Sequence, residues 1–359
     1  MSAIKRILFA TAAIIALLVL YLLAWPTAVE PVAWEAPVPP ELSGKYAVNH
    51  ALRDVERLEI DLSYGPEDVD IDSLGRIYGS LHDGQIIRLQ PDGSGAEVFA
   101  NTEGRPLGLH FDPHGNLIVA DAYKGLLAID TAGSITVLST SADGVPFRFT
   151  DDVDIAADGT IYFSDASHKF YQSEYRLDAI EHRPNGRLLA YDPETRETAV
   201  LLKDLYFANG VAVSPDQQFV LVNETWKYRV TRYWLAGEKV GTTEVFINNL
   251  PGFPDGISSD GKETFWLALA SPRNPMIDNL SGKPFLRKII SRLPQAVQPD
   301  AIPYAFVLGL DMAGNVVHNL QSPSGKPYSF ITSVEAHGDM LYFGSLIQPA
   351  IARIQAPGE

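Results

Sequence analysis

The stretch FTDDVDIAADGTIYFSD, residues 149–165, sets Asp151 ten residues ahead of an apolar strand that begins at Ile161. The same arrangement occurs at GPEDV from Gly65, RPLGL from Arg105, FANGV from Phe207 and FPDGI from Phe253, with strands beginning at Ile77, Leu117, Phe219 and Phe265. One position changes its chemistry each time: Glu67, Leu107, Asp151, Asn209 and Asp255. LYFGS from Leu341 echoes IYGS from Ile77, which predicts a sixth unit with Ile331 at the variable position. Units of about forty residues built from short strands mark a β-propeller, whose innermost strands converge on a central channel. The expected fold is therefore an all-β, six-bladed β-propeller in which equivalent positions meet at the axis.

Three carboxylates and one amide at a common point would destabilise one another unless a cation sat among them. Oxygen-only donors that include carboxylates select a hard ion, which makes Glu67, Asp151, Asn209 and Asp255 candidate ligands of Ca²⁺. The chain has no cysteine, which excludes disulfides and thiolate metal sites.

Residues 7–25 carry no charge, follow Lys5 and Arg6, and stop at Pro26. At the helical rise per residue this run reaches about 28 Å, enough to cross a bilayer core. Tyr21, Leu22, Leu23 and Trp25 crowd the place where a cleavage site needs small residues, so residues 1–25 read as an uncleaved membrane anchor. Basic residues on its N-terminal side put that end in the cytoplasm and the ring in a periplasmic, extracellular or lumenal space. Residues 26–50, with Pro26, Pro31, Pro37, Pro39 and Pro40, read as an extended tether, and residues 51–359 as the propeller. A net charge of −16 argues against a nucleic-acid partner, because phosphates require clustered Lys and Arg.

DSLG from Asp72, DPHG from Asp112 and AADG from Ala156 have the composition of hairpin turns, which places His114 at the surface. Helical patterning after the anchor is confined to the regions 171–181 and 284–293, where insertions interrupt blades and would cover one face of the channel. Tyr123, Tyr175, Trp226, His168 and His337 could line such a face. Asp152 is a candidate base, or else a hydrogen-bonded polar residue like Asp68 at the equivalent place in the first unit.

The runs VADAYKGL from Val119, IYFSDASHKF from Ile161, GRLLAYDPET from Gly186, FANGVAVSPD from Phe207 and PGFPDGI from Pro251 resemble the strictosidine synthase-like family, above all its adipocyte plasma membrane-associated members. The resemblance runs from about Pro66 to Ile354. It implies a six-bladed propeller, often behind an N-terminal anchor, related to the calcium-dependent gluconolactonase (senescence marker protein) and paraoxonase lactonases. By motif, Glu67 is similar to the first-blade Glu of those metal sites, Asn209 to the middle Asn and Asp255 to the late Asp, whereas Asp151 stands where relatives usually carry Asn. Two departures matter: Leu107 occupies the position of the paraoxonase second-blade His, and Ala336 that of the catalytic Glu of strictosidine synthase. With Glu335 one residue out of register and expected to face away on an alternating strand, condensation of an amine with an aldehyde is disfavoured.

These readings converge on calcium-dependent hydrolysis of a lactone or activated aryl ester, a small-molecule substrate. Asp255 would be the general base, with Asp151 or Asp152 as alternatives and His337 as a further catalytic candidate. No G-x-S-x-G elbow is present, which disfavours a covalent acyl-enzyme. The competing reading is a membrane-tethered binding module whose calcium is structural.

Overall fold

Turn chemistry sets each inner hairpin. Asp72 Oδ1 accepts from the Leu74 and Arg76 N–H, both at 2.9 Å, and Gly75 takes φ +77°, a conformation that costs glycine little. Asp112 does the same for His114 and Asn116, both at 2.8 Å, and His114 is exposed there as expected. The turns connect strands whose alternating side chains pack on both faces, so neighbouring sheets share apolar layers. Tyr78 and Ile86 of one sheet, for example, lie against Leu109, Leu117 and Leu127 of the next. Burying each aliphatic side chain contributes about 1.5–3 kcal/mol.

The computed structural model describes residues 3–358; residues 1, 2 and 359, at the ends of the expected anchor and propeller segments, lie outside the described residues. Six four-stranded antiparallel sheets form the ring. Blades one to five begin with the inner strands Val69–Ile71, Pro106–Phe111, Thr150–Ile155, Ala208–Val213 and Gly252–Ser259. Blade six begins with Ile331–His337 and is completed by an N-terminal strand, Glu56–Glu59, paired with Ala350–Gln355. The Glu56–Arg353 ion pair, 2.8 Å, lies on that seam.

Blade three is interrupted after Asp165 by helix α2 (Tyr175–Glu181), and blade five after Pro272 by α3 (Pro275–Leu280) and α4 (Pro284–Ile290). The residues preceding these insertions pair with the start of the inner strands, Thr150↔Asp165 and Gly252↔Pro272. The insertions therefore stand at the end of the ring that carries the variable positions, called the upper end below. The helices fall where sequence patterning placed them, with α3 in addition.

The N-terminal helix α1 (Ala3–Ala24) buries no residue and is long and apolar enough to cross a membrane. The proline-rich segment after it lies on the upper end. The Val32 and Trp34 N–H donate to the carbonyls of Glu181 and Ser281, Arg273 donates to the Pro37 carbonyl at 2.6 Å, and Trp34 stacks on His182 at 4.1 Å.

Candidate functional site

Every inner strand of blades two to six carries a β-bulge at the same place, opposite the second strand: residues 107–108, 151–152, 209–210, 255–256 and 332–333. A bulge sets two residues against one, so both can be aimed at the axis. The variable position is the first of the two. Where the second is glycine, the next strand fills the space: a Cβ on Gly108 would lie 2.6 Å from Asp152 Cα, and one on Gly256 would lie 2.6 Å from the Thr332 carbonyl.

The bulge register corrects the sixth unit. Val334 pairs with Phe343 as Val153 pairs with Phe163, but the hairpin between them is one residue shorter. The sixth variable position is therefore Thr332, not Ile331, and its Oγ1 donates to the Glu67 carbonyl at 2.6 Å. Three residues further along, the strands present a second set: Asp70, His110, Asp154, Ala212, Ser258 and Glu335.

At the upper end, Asp121 and Asp165 accept from the Arg105 and Phe149 N–H at 3.1 and 3.0 Å, fixing the backbone two residues ahead of Leu107 and Asp151. Arg105 is 2% exposed and donates from Nη2 to Glu67 Oε2 at 2.6 Å. Asp151 Oδ2 is buried and meets no donor, and Arg105 Nε meets no acceptor. Burial raises the proton affinity of Asp151 well above the usual carboxylate range, and the charges of Asp255, Glu67 and Asp152 add to that against Arg105. Asp255 is raised likewise by burial and by Glu67, with Asn209 opposing. Glu67 is raised by burial, with Arg105 opposing. Glu67, Asp151, Asn209 and Asp255 thus influence one another at one end of the channel. An apolar cluster of Leu107, Ala122, Phe149, Ala166 and Phe207, with Trp226 against it, lies beside them.

Among the described residues, no three His, Cys, Asp or Glu side chains gather tightly enough to hold a metal ion as they stand. The donor set still fits Ca²⁺ chemically: it is oxygen-only, and Asp151 Oδ2 is a buried carboxylate oxygen with no partner to offset its desolvation. Glu67 would have to exchange Arg105 for the ion.

Other expected residues lie elsewhere. Asp152 Oδ1 accepts from its own strand at Val153, 2.9 Å, and Oδ2 from Val211 of blade four, 2.7 Å, so one oxygen braces the strand and the other joins blades. Asp68 joins blades one and two in the same way through Leu109, 2.7 Å, and burial pushes it up to about 7. His337 is exposed at the hairpin end of its strand, at the opposite end of the ring from Asp151 and Asp255. His168 Nδ1 lies 2.7 Å from the Asn185 carbonyl, and Trp226 Nε1 donates to Asp178 Oδ1 at 2.9 Å; both brace the α2 insertion. Tyr123 donates to Gln172 at 3.2 Å, and Tyr175 is exposed.

The lower end holds a cavity of about 310 Å³ lined by Asp68, His110, Asp152, Asp154, Ser258 and Glu335 among others. Glu335 faces this channel, contrary to the alternation argument, because the bulge at 332–333 shifts the alternation by one. Burial raises its proton affinity well above the usual range, and Asp70, Asp68, Asp154 and Asp152 add to it. His110 lies 3.6 Å from Asp70 and 3.5 Å from Asp154. Burial lowers the proton affinity of His110, but Asp154, Asp70 and Asp68 outweigh it and the net shift is upward. Arg105, Asp70, His110 and Asp154 were missed from sequence. Arg105 had a signal, since it stands where three of the other phrases begin with Phe.

The profile of the strictosidine synthase family matches residues 151–238, and that of the strictosidine synthase-like N-terminal region matches residues 44–89. Protein strictosidine synthase-like 4 of Arabidopsis thaliana is 40% identical over 324 residues, 88% of this chain and 85% of that protein. The adipocyte plasma membrane-associated protein of Salmo salar is 34% identical over 362 residues, 94% of this chain and 86% of the relative. A gluconolactonase structure from Xanthomonas campestris shares the fold, with a TM-score of 0.63 at 16% identity, covering 93% of this chain and 99% of that one. Regucalcin of Agrobacterium tumefaciens, described as a calcium-binding protein, superposes with a TM-score of 0.59 at 15% identity, covering 84% and 95%. On the strength of these full-length relatives, the chain belongs to the strictosidine synthase-like family.

Proposed function

We propose that the protein hydrolyses lactones or activated aryl esters at the upper end of its channel and depends on Ca²⁺ to do so. The observation that carries this reading is Asp151: a buried carboxylate oxygen without a donor, beside Asp255 and Glu67. Glu67, Asp151, Asn209 and Asp255 would hold the ion. A calcium ion there supplies Lewis acidity toward a carbonyl oxygen and stabilises the negative charge that develops on it.

The chain's own residues account for the rest. Asp255, whose proton affinity burial and Glu67 raise, is the carboxylate that would take a proton from an attacking water. Arg105 opposes the burial that raises the proton affinity of Glu67, and a cation would take its place. The cluster around Leu107, Phe149 and Phe207 offers an apolar wall that limits water and accepts the hydrocarbon part of a substrate. Helix α1 would anchor the ring with the N-terminus in the cytoplasm and the propeller on the other side of the membrane.

A binding module without chemistry is the second reading, and the Arg105–Glu67 pair favours it, because it already neutralises one carboxylate. An assay of the full chain in detergent with a panel of lactones and aryl esters, with calcium or with chelator, separates the two. Turnover that chelator abolishes and calcium restores supports hydrolysis. Turnover indifferent to chelator rejects the calcium mechanism, and no turnover on any substrate favours the binding module.

A further inference from the structure

Helix α1 leaves the ring at a place that is chemically unlike the rest of a strongly acidic protein. Its last turn is held by Arg292, just beyond α4: Nε donates to the Trp25 carbonyl at 2.7 Å and Nη1 to the Leu22 carbonyl at 3.0 Å. Tyr21 returns a hydrogen bond to the Arg292 carbonyl at 3.0 Å, and Thr27 Oγ1 lies 3.2 Å from Ser291 Oγ. Leu22 and Trp25 belong to the uncharged run 7–25. Helix carbonyls point toward the C-terminus, so a guanidinium bonded to both caps the end of that run. If α1 spans a bilayer, Arg292 and the end of α4 are therefore at interfacial depth, where arginine places its charge among headgroups.

The rest of the insertion suits that depth. Phe285 is 63% exposed, and Met276, Leu286 and Val297 are exposed on the same insertion. Phe285 and Lys288, three residues apart on α4, share the flank that meets the tether, and Arg292 lies just beyond the end of that helix. Lys283 is exposed beside them. A cleft of about 230 Å³ between α4 and the tether is bounded by Pro31, Arg183, Pro284, Phe285 and Lys288, with Glu30 also at its edge. Apolar side chains, bases beside them and continuity with an anchor describe a surface that lies on phospholipid.

We infer that the α3–α4 insertion is a second membrane contact: Phe285 and its apolar neighbours enter the headgroup boundary of an anionic phospholipid bilayer, and the upper end of the ring faces that surface. This rests on the reading of α1 as a membrane span. It gives the upper residues direct access to substrates dissolved in the bilayer and leaves the lower mouth toward water.

The absence of cysteine allows unique labelling of the full chain. Variants Phe285→Cys on α4, Ile14→Cys in α1 and His337→Cys at the lower end carry an environment-sensitive fluorophore. They are reconstituted in vesicles of equal parts phosphatidylcholine and phosphatidylglycerol containing spin-labelled lipid. The expected result is loss of fluorescence at positions 14 and 285, with none at 337. Loss at 14 alone overturns the second contact and leaves the anchor standing. No loss at 14 overturns the anchor reading and this inference with it, and equal loss at all three positions shows a ring embedded without preference, which also overturns it.

Discussion

The two ends of the channel are built from the same inner strands, yet their carboxylates live differently. Toward the lower end, Asp68, Asp70, Asp152 and Asp154 each accept from the N–H of the next residue in their own strand and from a strand of the neighbouring blade, at Leu109, Phe111, Val211 and Val213. They are stitches between blades one and two and between blades three and four. At the upper end, Asp151 has an oxygen with no partner and Glu67 is held only by a guanidinium. Acidity alone does not distinguish a site from a scaffold; the partners of the oxygens do. An anion whose hydrogen bonds are complete stabilises the fold, and one left incomplete in a buried place costs stability unless a ligand completes it.

The largest expected difference between the ends is in turnover. Asp255→Asn lowers kcat/KM for a responsive lactone by about 10²–10⁴-fold, the usual contribution of a general base, while the melting temperature holds or rises because repulsion is relieved. A variant that retains turnover breaks the assignment. Arg105→Met leaves Glu67 buried without its counter-charge and costs about 3–5 kcal/mol in chelator, with the loss reversed by calcium; denaturant unfolding in the two conditions measures it, and a loss that calcium does not repair ties Arg105 to structure alone. Asp152→Ala strips acceptors from Val153 and Val211 and costs roughly 1–3 kcal/mol, with activity per folded molecule preserved. Loss of turnover at unchanged stability would instead make Asp152 the base.

A smaller effect is on pH dependence. The proton affinities of Asp151, Asp255 and Glu67 are raised in the folded state, so the native chain binds more protons than the unfolded one. Stability in chelator then falls as pH rises from the carboxylate range of about 4, and Asp68, pushed up to about 7, places part of that fall below neutrality. Melting temperatures lower at pH 8 than at pH 5 are expected, with the upper-end share of the slope removed by calcium; a rise with pH contradicts the electrostatics of the channel. His337→Ala should change neither turnover nor melting temperature, since the side chain is exposed at the far hairpin.

The ring, its inner strands and the shared variable position of Glu67, Asp151, Asn209 and Asp255 were legible because a constant offset of ten residues survives as sequence. What escaped depends on register. One residue fewer in the last hairpin moved the sixth position from Ile331 to Thr332, and the bulge beside it turned Glu335 toward the channel. The role of Arg105 escaped because it is a contact across blades: the sequence marks the position by a base where three phrases carry Phe, but not the partner. The proline-rich segment reads as a free spacer by composition, but its carbonyls and N–H groups find partners on the insertions. The strand Glu56–Glu59 that closes the ring lacks apolar alternation, because it lies at the outer edge of blade six.

A calcium-binding titration of the full chain, run on the wild type and on Asp151→Asn and Asp154→Asn, tests the difference between the two ends most directly. The account predicts one bound ion in the wild type and in Asp154→Asn, and none in Asp151→Asn. No binding by the wild type, or binding lost in Asp154→Asn and kept in Asp151→Asn, would contradict it.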